Sequence, residues 1–187
     1  DTTYQGAWAG SFALTSGQSM GGSIDATTGA ITAGTGVRTS GTAVSLVSSI
    51  TASGNINIQG NAISNTVTGV SVASSSALVS SGAAAAINVG TNYSITHNGS
   101  IKTTNNTGTS TTIGLTATSG GITGAGTIGD ATNKNASVAM TTGATSTFDG
   151  AINAKDLIKA GVGALTLDSW AYTTPTLTKI SNSYTVN

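Results

Sequence analysis

The segment Phe148-Asp-Gly-Ala-Ile152, followed by Leu157-Ile-Lys-Ala-Gly-Val-Gly-Ala-Leu-Thr-Leu167, constrains the fold of this chain more than any other. Its pattern is Phe-x-Gly-x-Ile, then Leu-x-Lys-x-Gly-x-Gly-x-Leu-x-Leu. Both halves alternate with the two-residue period of a β-strand, in which successive side chains point to opposite faces. Glycines fall where a strand must bend or pack closely on another backbone. Two strands that share an inward face and meet at a tight corner make one coil of a β-solenoid. The pattern predicts Leu165 and Leu167 in the core, with Thr166 outward.

Short alternating segments recur along the chain. They include Ala43–Val47, Asn55–Gln59, Thr66–Val72, Ala86–Val89, Tyr93–Thr96, Ser110–Thr116 and Ser137–Met140. Gly, Asn and Ser clusters separate them, as corners require. Similar elements return roughly every 20 residues, within the range of one-coil repeats. An antiparallel sandwich also consists of short strands, but hairpins advertise themselves by Asn-Gly or Asp-Gly. Only Asn98-Gly99 and Asp149-Gly150 provide such pairs. The expectation is an all-β chain, one solenoid domain over 1–187, with roughly nine short coils about 40 Å long in total.

Composition points the same way. There is no Glu, and five Lys and one Arg are the only basic residues besides His97, so long amphipathic helices are hard to build. Hydrophobic residues make up 37% of the chain, enough for a thin core. Six acidic residues balance six basic ones. No basic stripe exists for nucleic acid, and little charge opposes self-association. The absence of Cys removes disulfides and thiolate metal sites. No apolar run approaches the roughly 18 residues of a membrane helix. The polar start, Asp1-Thr-Thr-Tyr4, reads as a mature terminus left after processing, which implies secretion.

Residues 121–178 resemble the repeats of autotransporter passenger domains. Gly121-Ile-Thr-Gly-Ala-Gly-Thr-Ile-Gly129 is similar to their Gly-x-Gly-x-Ile coil opening, and Thr147–Ile152 to their Phe-x-Gly-x-Ile strand. Lys159–Leu167 is similar to the passenger-associated repeat, whose usual continuation, Gly-x-Asn-x-Tyr-Thr-Gly, is altered around Ser169–Thr176. The resemblance implies a single-stranded right-handed parallel β-helix at a bacterial surface. It implies little about activity. The outward-barrel strands and aromatic girdles of that family do not occur in this sequence.

Candidate chemistry is sparse. Of the acidic residues Asp1, Asp25, Asp130, Asp149, Asp156 and Asp168, only Asp149 and Asp168 could approach each other on neighbouring coils, as a pair for glycoside hydrolysis. Turn capping accounts for both more simply. Asp156, between Lys155 and Lys159, reads as surface charge pairing, and His97, beside Asn98-Gly99, as a solvated loop residue. Neither a metal nor a cofactor is expected. The Thr-x-Thr pairs, such as Thr116/Thr118 and Thr145/Thr147, fall at irregular intervals. That spacing suggests a hydroxyl-rich surface and not an ice-binding array.

The aromatic residues are concentrated at the ends: Tyr4, Trp8 and Phe12 in the first coil, and Trp170, Tyr172 and Tyr184 in the last. They are the candidate subunit interface. Open β edges pair with other chains unless blocked, so the expected partners are copies of this chain, joined head to tail in an extracellular filament. The alternative is an adhesin passenger fragment presenting Thr- and Asn-rich faces to cell-surface glycans.

Overall fold

Alternating apolar residues and small corner residues resolve into strands that pair only in parallel. The computed structural model describes residues 3–9, 12–14, 19–28, 31–33, 37–38, 44–46, 49–62, 68–105, 110–167, 171–180 and 184–186, with side chains described for Val44, Leu46, 49–60, 68–105 and 110–167. No helix occurs among the described residues. A central coil consists of strands Thr68–Val72, Ala77–Ser80 and Ala86–Thr91. The next consists of Ser94–His97, Ser100–Thr103 and Thr111–Ala117, and the one after of Ile122–Gly124, Thr127–Ile128 and Ala136–Thr142.

Each strand pairs with its equivalent in the next coil. Among the described residues these form three ladders, besides the short pair Val37–Arg38 with Asn61–Ala62. The third, among the described residues, contains eight strands, one per coil, from Phe12–Leu14 to Ala171–Ile180. Tyr184–Val186 continues the first ladder beyond Leu165–Leu167. The chain is therefore a parallel β-solenoid.

The coils are longer and less regular than the 20-residue interval suggests. Ile87 lies opposite Ile56, 31 residues earlier, and Ile113, 26 residues later, whereas Val138 lies opposite Leu157, only 19 residues on. The extra residues sit at corners, such as Asp130–Asn135, outside the ladders. Corner insertions leave the register intact, so the inward columns stay aligned while the repeat length drifts.

Those columns form the core. Along the third ladder Ile56, Ile87, Ile113, Val138 and Leu157 lie in register, and all are at most 2% exposed. Along the second, Ile50, Leu78, Ile101, Ile128 and Ile152 are completely buried. β-Branched side chains suit this pleated, close-packed stack. Leu165 and Leu167 point inward and Thr166 is half-exposed, as the alternation predicts.

Corner hydroxyls that turn inward are satisfied locally. Ser80 donates to the Gly54 carbonyl at 2.7 Å, Thr142 to the Gly163 carbonyl at 3.1 Å, and the Thr103 and Thr111 hydroxyls pair at 2.6 Å. Buried polar groups without partners would be costly.

Candidate functional site

A shelf crosses the outer face of the third ladder. Asn57 and Asn88 stand in register, and the Asn88 Nδ2 donates to the Asn57 Oδ1 at 3.0 Å. The next position in that column is Gly114, and the neighbouring column runs Gln59, Gly90, Thr116. Two glycines among amides and hydroxyls leave an open groove of about 500 Å³, also lined by Asn92 and Thr118. Its lining contains no charged residue. It can exchange hydrogen bonds with a neutral polar ligand and has no group suited to acid–base chemistry.

The outer face of the first ladder carries a column of hydroxyls. Ser71, Thr96, Thr123, Thr147 and Thr166 follow one another in register, one per coil. Spacing in sequence is uneven because corners vary in length, but register restores a regular repeat. The column draws one residue from each strand; only Thr147 belongs to the Thr-x-Thr pairs named above.

Among the described residues two ionisable side chains, His97 and Lys159, lie inside the solenoid, and both correct the sequence reading. His97 is fully buried and not a solvated loop residue. It continues the inward column of Leu46 and Val72. The next residue in that column is Gly124, which pairs in turn with Phe148. The imidazole and phenyl rings stack across the Gly124 coil, with centroids 5.8 Å apart and planes 5° from parallel. Gly124 has φ +126°, and a Cβ there would lie 2.0 Å from the His97 carbonyl oxygen, so only glycine fits.

The His97 Nε2 lies 3.0 Å from the Thr127 carbonyl, which can only accept, so Nε2 carries the proton. Nδ1 is buried and makes no hydrogen bond among the described residues. Burial lowers the pKa of His97 below 6.5, and the smaller opposing effect is the Thr127 hydrogen bond.

A pH dependence follows. In the unfolded chain this histidine binds a proton near pH 6.5, and in the folded chain it resists one. The stability it confers is complete above about pH 6.5 and declines as pH falls below that, by at most about 1.4 kcal/mol per pH unit. The segments stacked on the ring, 68–72, 122–128 and 146–148, contain no acidic or basic residue, and Asp149 beyond them is exposed. His97→Leu is expected to flatten the stability profile between neutral pH and about pH 5. Equal slopes for variant and parent in denaturant titrations would rule this account out.

Lys159 is the second case. It occupies the inward column of Leu115 and Met140, is 1% exposed, and donates to the Gly161 carbonyl at 2.8 Å. Burial lowers its pKa. The surface-pairing reading of Asp156 with Lys159 is therefore corrected, since Asp156 lies on the outward parity of the same strand and Lys159 on the inward one.

The remaining expected site residues are placed as follows. Asp149 is exposed, with its backbone N–H donating to the Gly124 carbonyl at 2.8 Å. Asp168 and Trp170 lie outside the described residues. Tyr4, Trp8, Phe12, Tyr172 and Tyr184 lie in described strands, although their side chains are outside the description. Their register positions fall on inward columns. Tyr4 is opposite Met20, which pairs with buried Leu46. Trp8 is opposite Ala26, which pairs with buried Ala52. Phe12 leads through Ile31 to Ile56. Tyr172 is opposite buried Ala154, and Tyr184 opposite buried Leu165.

Among the described residues no group of three or more His, Cys, Asp or Glu is placed to hold a metal ion. No protein-family model, curated protein or solved structure matches this chain.

Proposed function

We propose that this chain is a non-enzymatic structural solenoid, secreted by a bacterium, that stacks head to tail into an extracellular filament. The observation that carries the reading is the state of the ladder ends. Phe12–Leu14 and Thr3–Ala9 pair only with the second coil, and Ala171–Ile180 and Tyr184–Val186 only with the coil before them, among the described residues. In a head-to-tail assembly such strands would pair through their outer N–H and C=O rows with a further parallel strand. The aromatic residues Tyr4, Trp8, Phe12, Tyr172 and Tyr184 occupy core columns in these same end coils, where another coil would cover them. A head-to-tail contact of this kind propagates unless its rotation closes a ring.

Negative-stain images of the purified chain test the reading directly. Filaments of constant width are expected, and uniform monomers at high concentration would refute it. Deleting residues 1–14 removes the first coil. It should leave a folded monomer that no longer elongates, because coils contact mainly their neighbours. Light scattering that still grows with time in the truncated chain would count against stacking at that end.

A second reading, an adhesin passenger, is favoured by the amide-lined groove on the third ladder. In that case further coils of one longer chain would cover the ladder ends. A membrane-barrel domain encoded in the same reading frame would decide for it.

A further inference from the structure

The described ladders do not stop level with one another. Among the described residues the first ladder contains the eight strands from Ser19–Thr28 to Tyr184–Val186, with Thr3–Ala9 as a ninth, whereas the third contains eight. Tyr184–Val186 is the extra strand. It lies on Leu165–Leu167, one coil beyond Ala171–Ile180, the last described strand of the third ladder. At the other end Thr3–Ala9 and Phe12–Leu14 belong to one coil, which starts both ladders together.

A copy stacked head to tail meets a conflict at this step. Parallel ladder neighbours lie about 4.8 Å apart. If its Thr3–Tyr4 segment pairs with Tyr184–Val186, its Phe12–Leu14 stands two steps, roughly 9.6 Å, from Ala171–Ile180. The backbone N–H and C=O groups that face each other across that gap then go unpaired, which is costly at a closed junction. If Phe12–Leu14 instead pairs directly with Ala171–Ile180, Thr3–Tyr4 needs the place on Leu165–Leu167 that Tyr184–Val186 already fills.

Register favours the second arrangement. Phe12 heads the column that runs through Ile31, Ile56, Ile87 and Leu157 to Leu177. Leu14 heads the one that runs through Ala33, Ile58, Val89 and Lys159 to Ile180. Tyr4 heads the column of Met20, Leu46, Val72 and His97, which continues through Gly124 and Phe148 to Leu167. With the ladders level, the register positions of Phe12, Leu14 and Tyr4 in one copy follow Leu177, Ile180 and Leu167 of the other, so three core columns run on without a break.

We propose that Tyr184–Val186 is a place-holding strand, which the Thr3–Tyr4 segment of a second copy of this chain displaces from Leu165–Leu167 when the two copies join. The proposal rests on the head-to-tail reading above and adds which strands meet. Leu165–Leu167 is paired before and after the exchange, so little is lost there. The pairing of Phe12–Leu14 with Ala171–Ile180 is gained, by the addition of a strand to an open edge. Until then the resident strand covers the edge that the incoming segment needs and slows joining.

A disulfide tests the exchange. Thr166 and Thr185 are ladder partners. Ladder neighbours lie about 4.8 Å apart, inside the roughly 4.4–6.8 Å between Cα atoms that a disulfide spans. The chain has no cysteine of its own. In the double variant Thr166→Cys, Thr185→Cys, oxidation pins the resident strand to Leu165–Leu167. Light scattering and negative-stain images of the full chain are expected to show loss of filament growth in the oxidised, intramolecularly linked form, and growth like the parent's after reduction with dithiothreitol. Deleting residues 184–187 removes the place-holder without a new bond. It should shorten the lag before growth and lower the concentration at which filaments form, with the β-sheet circular dichroism of the parent retained. Equal growth of the oxidised and reduced forms, or a longer lag after the deletion, overturns the exchange and leaves stacking intact. If neither the parent nor the reduced variant forms filaments, the stacking reading fails and the exchange falls with it.

Discussion

Phe148→Ala is expected to lower the free energy of unfolding by about 3–5 kcal/mol, the range for removing a large buried aromatic ring. Phe148 is completely buried and is one of the largest such side chains in the core. Its position is unusual because the coil between it and His97 contributes Gly124, which has no side chain to fill the space. The phenyl and imidazole rings stack across that position, with centroids 5.8 Å apart. Removing the phenyl leaves a cavity that the backbone cannot close, since parallel ladders fix the coil spacing at about 4.8 Å. The His97 ring also loses its stacking partner, worth about 0.5–1.5 kcal/mol beyond buried area. A double-mutant cycle with His97→Leu should recover a coupling of that size. Denaturant titrations that place Phe148→Ala within about 1 kcal/mol of the parent would mean that the two rings do not share this gap.

Parity in the sequence carries more of this arrangement than composition suggests. Leu165, Thr166 and Leu167 sit as the alternation predicts because apolar and hydroxyl side chains sort unambiguously between core and water. The same alternation puts His97 two residues after Ile95, and Lys159 two residues after Leu157, on the inward face. Residue type points the other way in both cases, and parity wins because a strand cannot turn one side chain outward without a bulge. His97 is accommodated by neutrality and by Gly124. Lys159 is accommodated by a carbonyl two residues ahead.

The hydroxyl column of the first ladder was not legible in sequence. It depends on which residues of different coils become neighbours, and variable corners hide that register. Thr96 and Thr123 are 27 residues apart, Thr147 and Thr166 only 19, yet each pair is adjacent in the ladder.

Leu165→Asp is expected to abolish the native fold of the coil that holds it, seen as a loss of cooperative unfolding or a melting temperature far below the parent. Leu165 is 1% exposed, and its strand is paired on both sides, with Ser146–Phe148 and Tyr184–Val186. Two costs combine. The lost leucine contacts cost about 2–5 kcal/mol. The carboxylate must then either enter the core unpaired or take up a proton, at a further cost of several kcal/mol. The total rivals the roughly 5–15 kcal/mol that stabilises an ordinary domain.

Thr166→Asp is the control. It places the same charge on the same strand with the opposite parity, at a half-exposed position, and should stay within about 0.5 kcal/mol of the parent. The pH dependence separates charge from lost packing. The carboxyl that Leu165→Asp introduces would be buried and have a raised pKa in the folded state, so its penalty shrinks as pH falls towards the unfolded value near 4. Partial recovery of the Leu165→Asp variant in mild acid is therefore expected, against the opposite trend that His97 gives the parent. If Leu165→Asp melted like the parent, or if Thr166→Asp proved equally damaging, the inward register of this strand would be wrong, and with it the core column that leads through Leu165 to Tyr184 in the last strand.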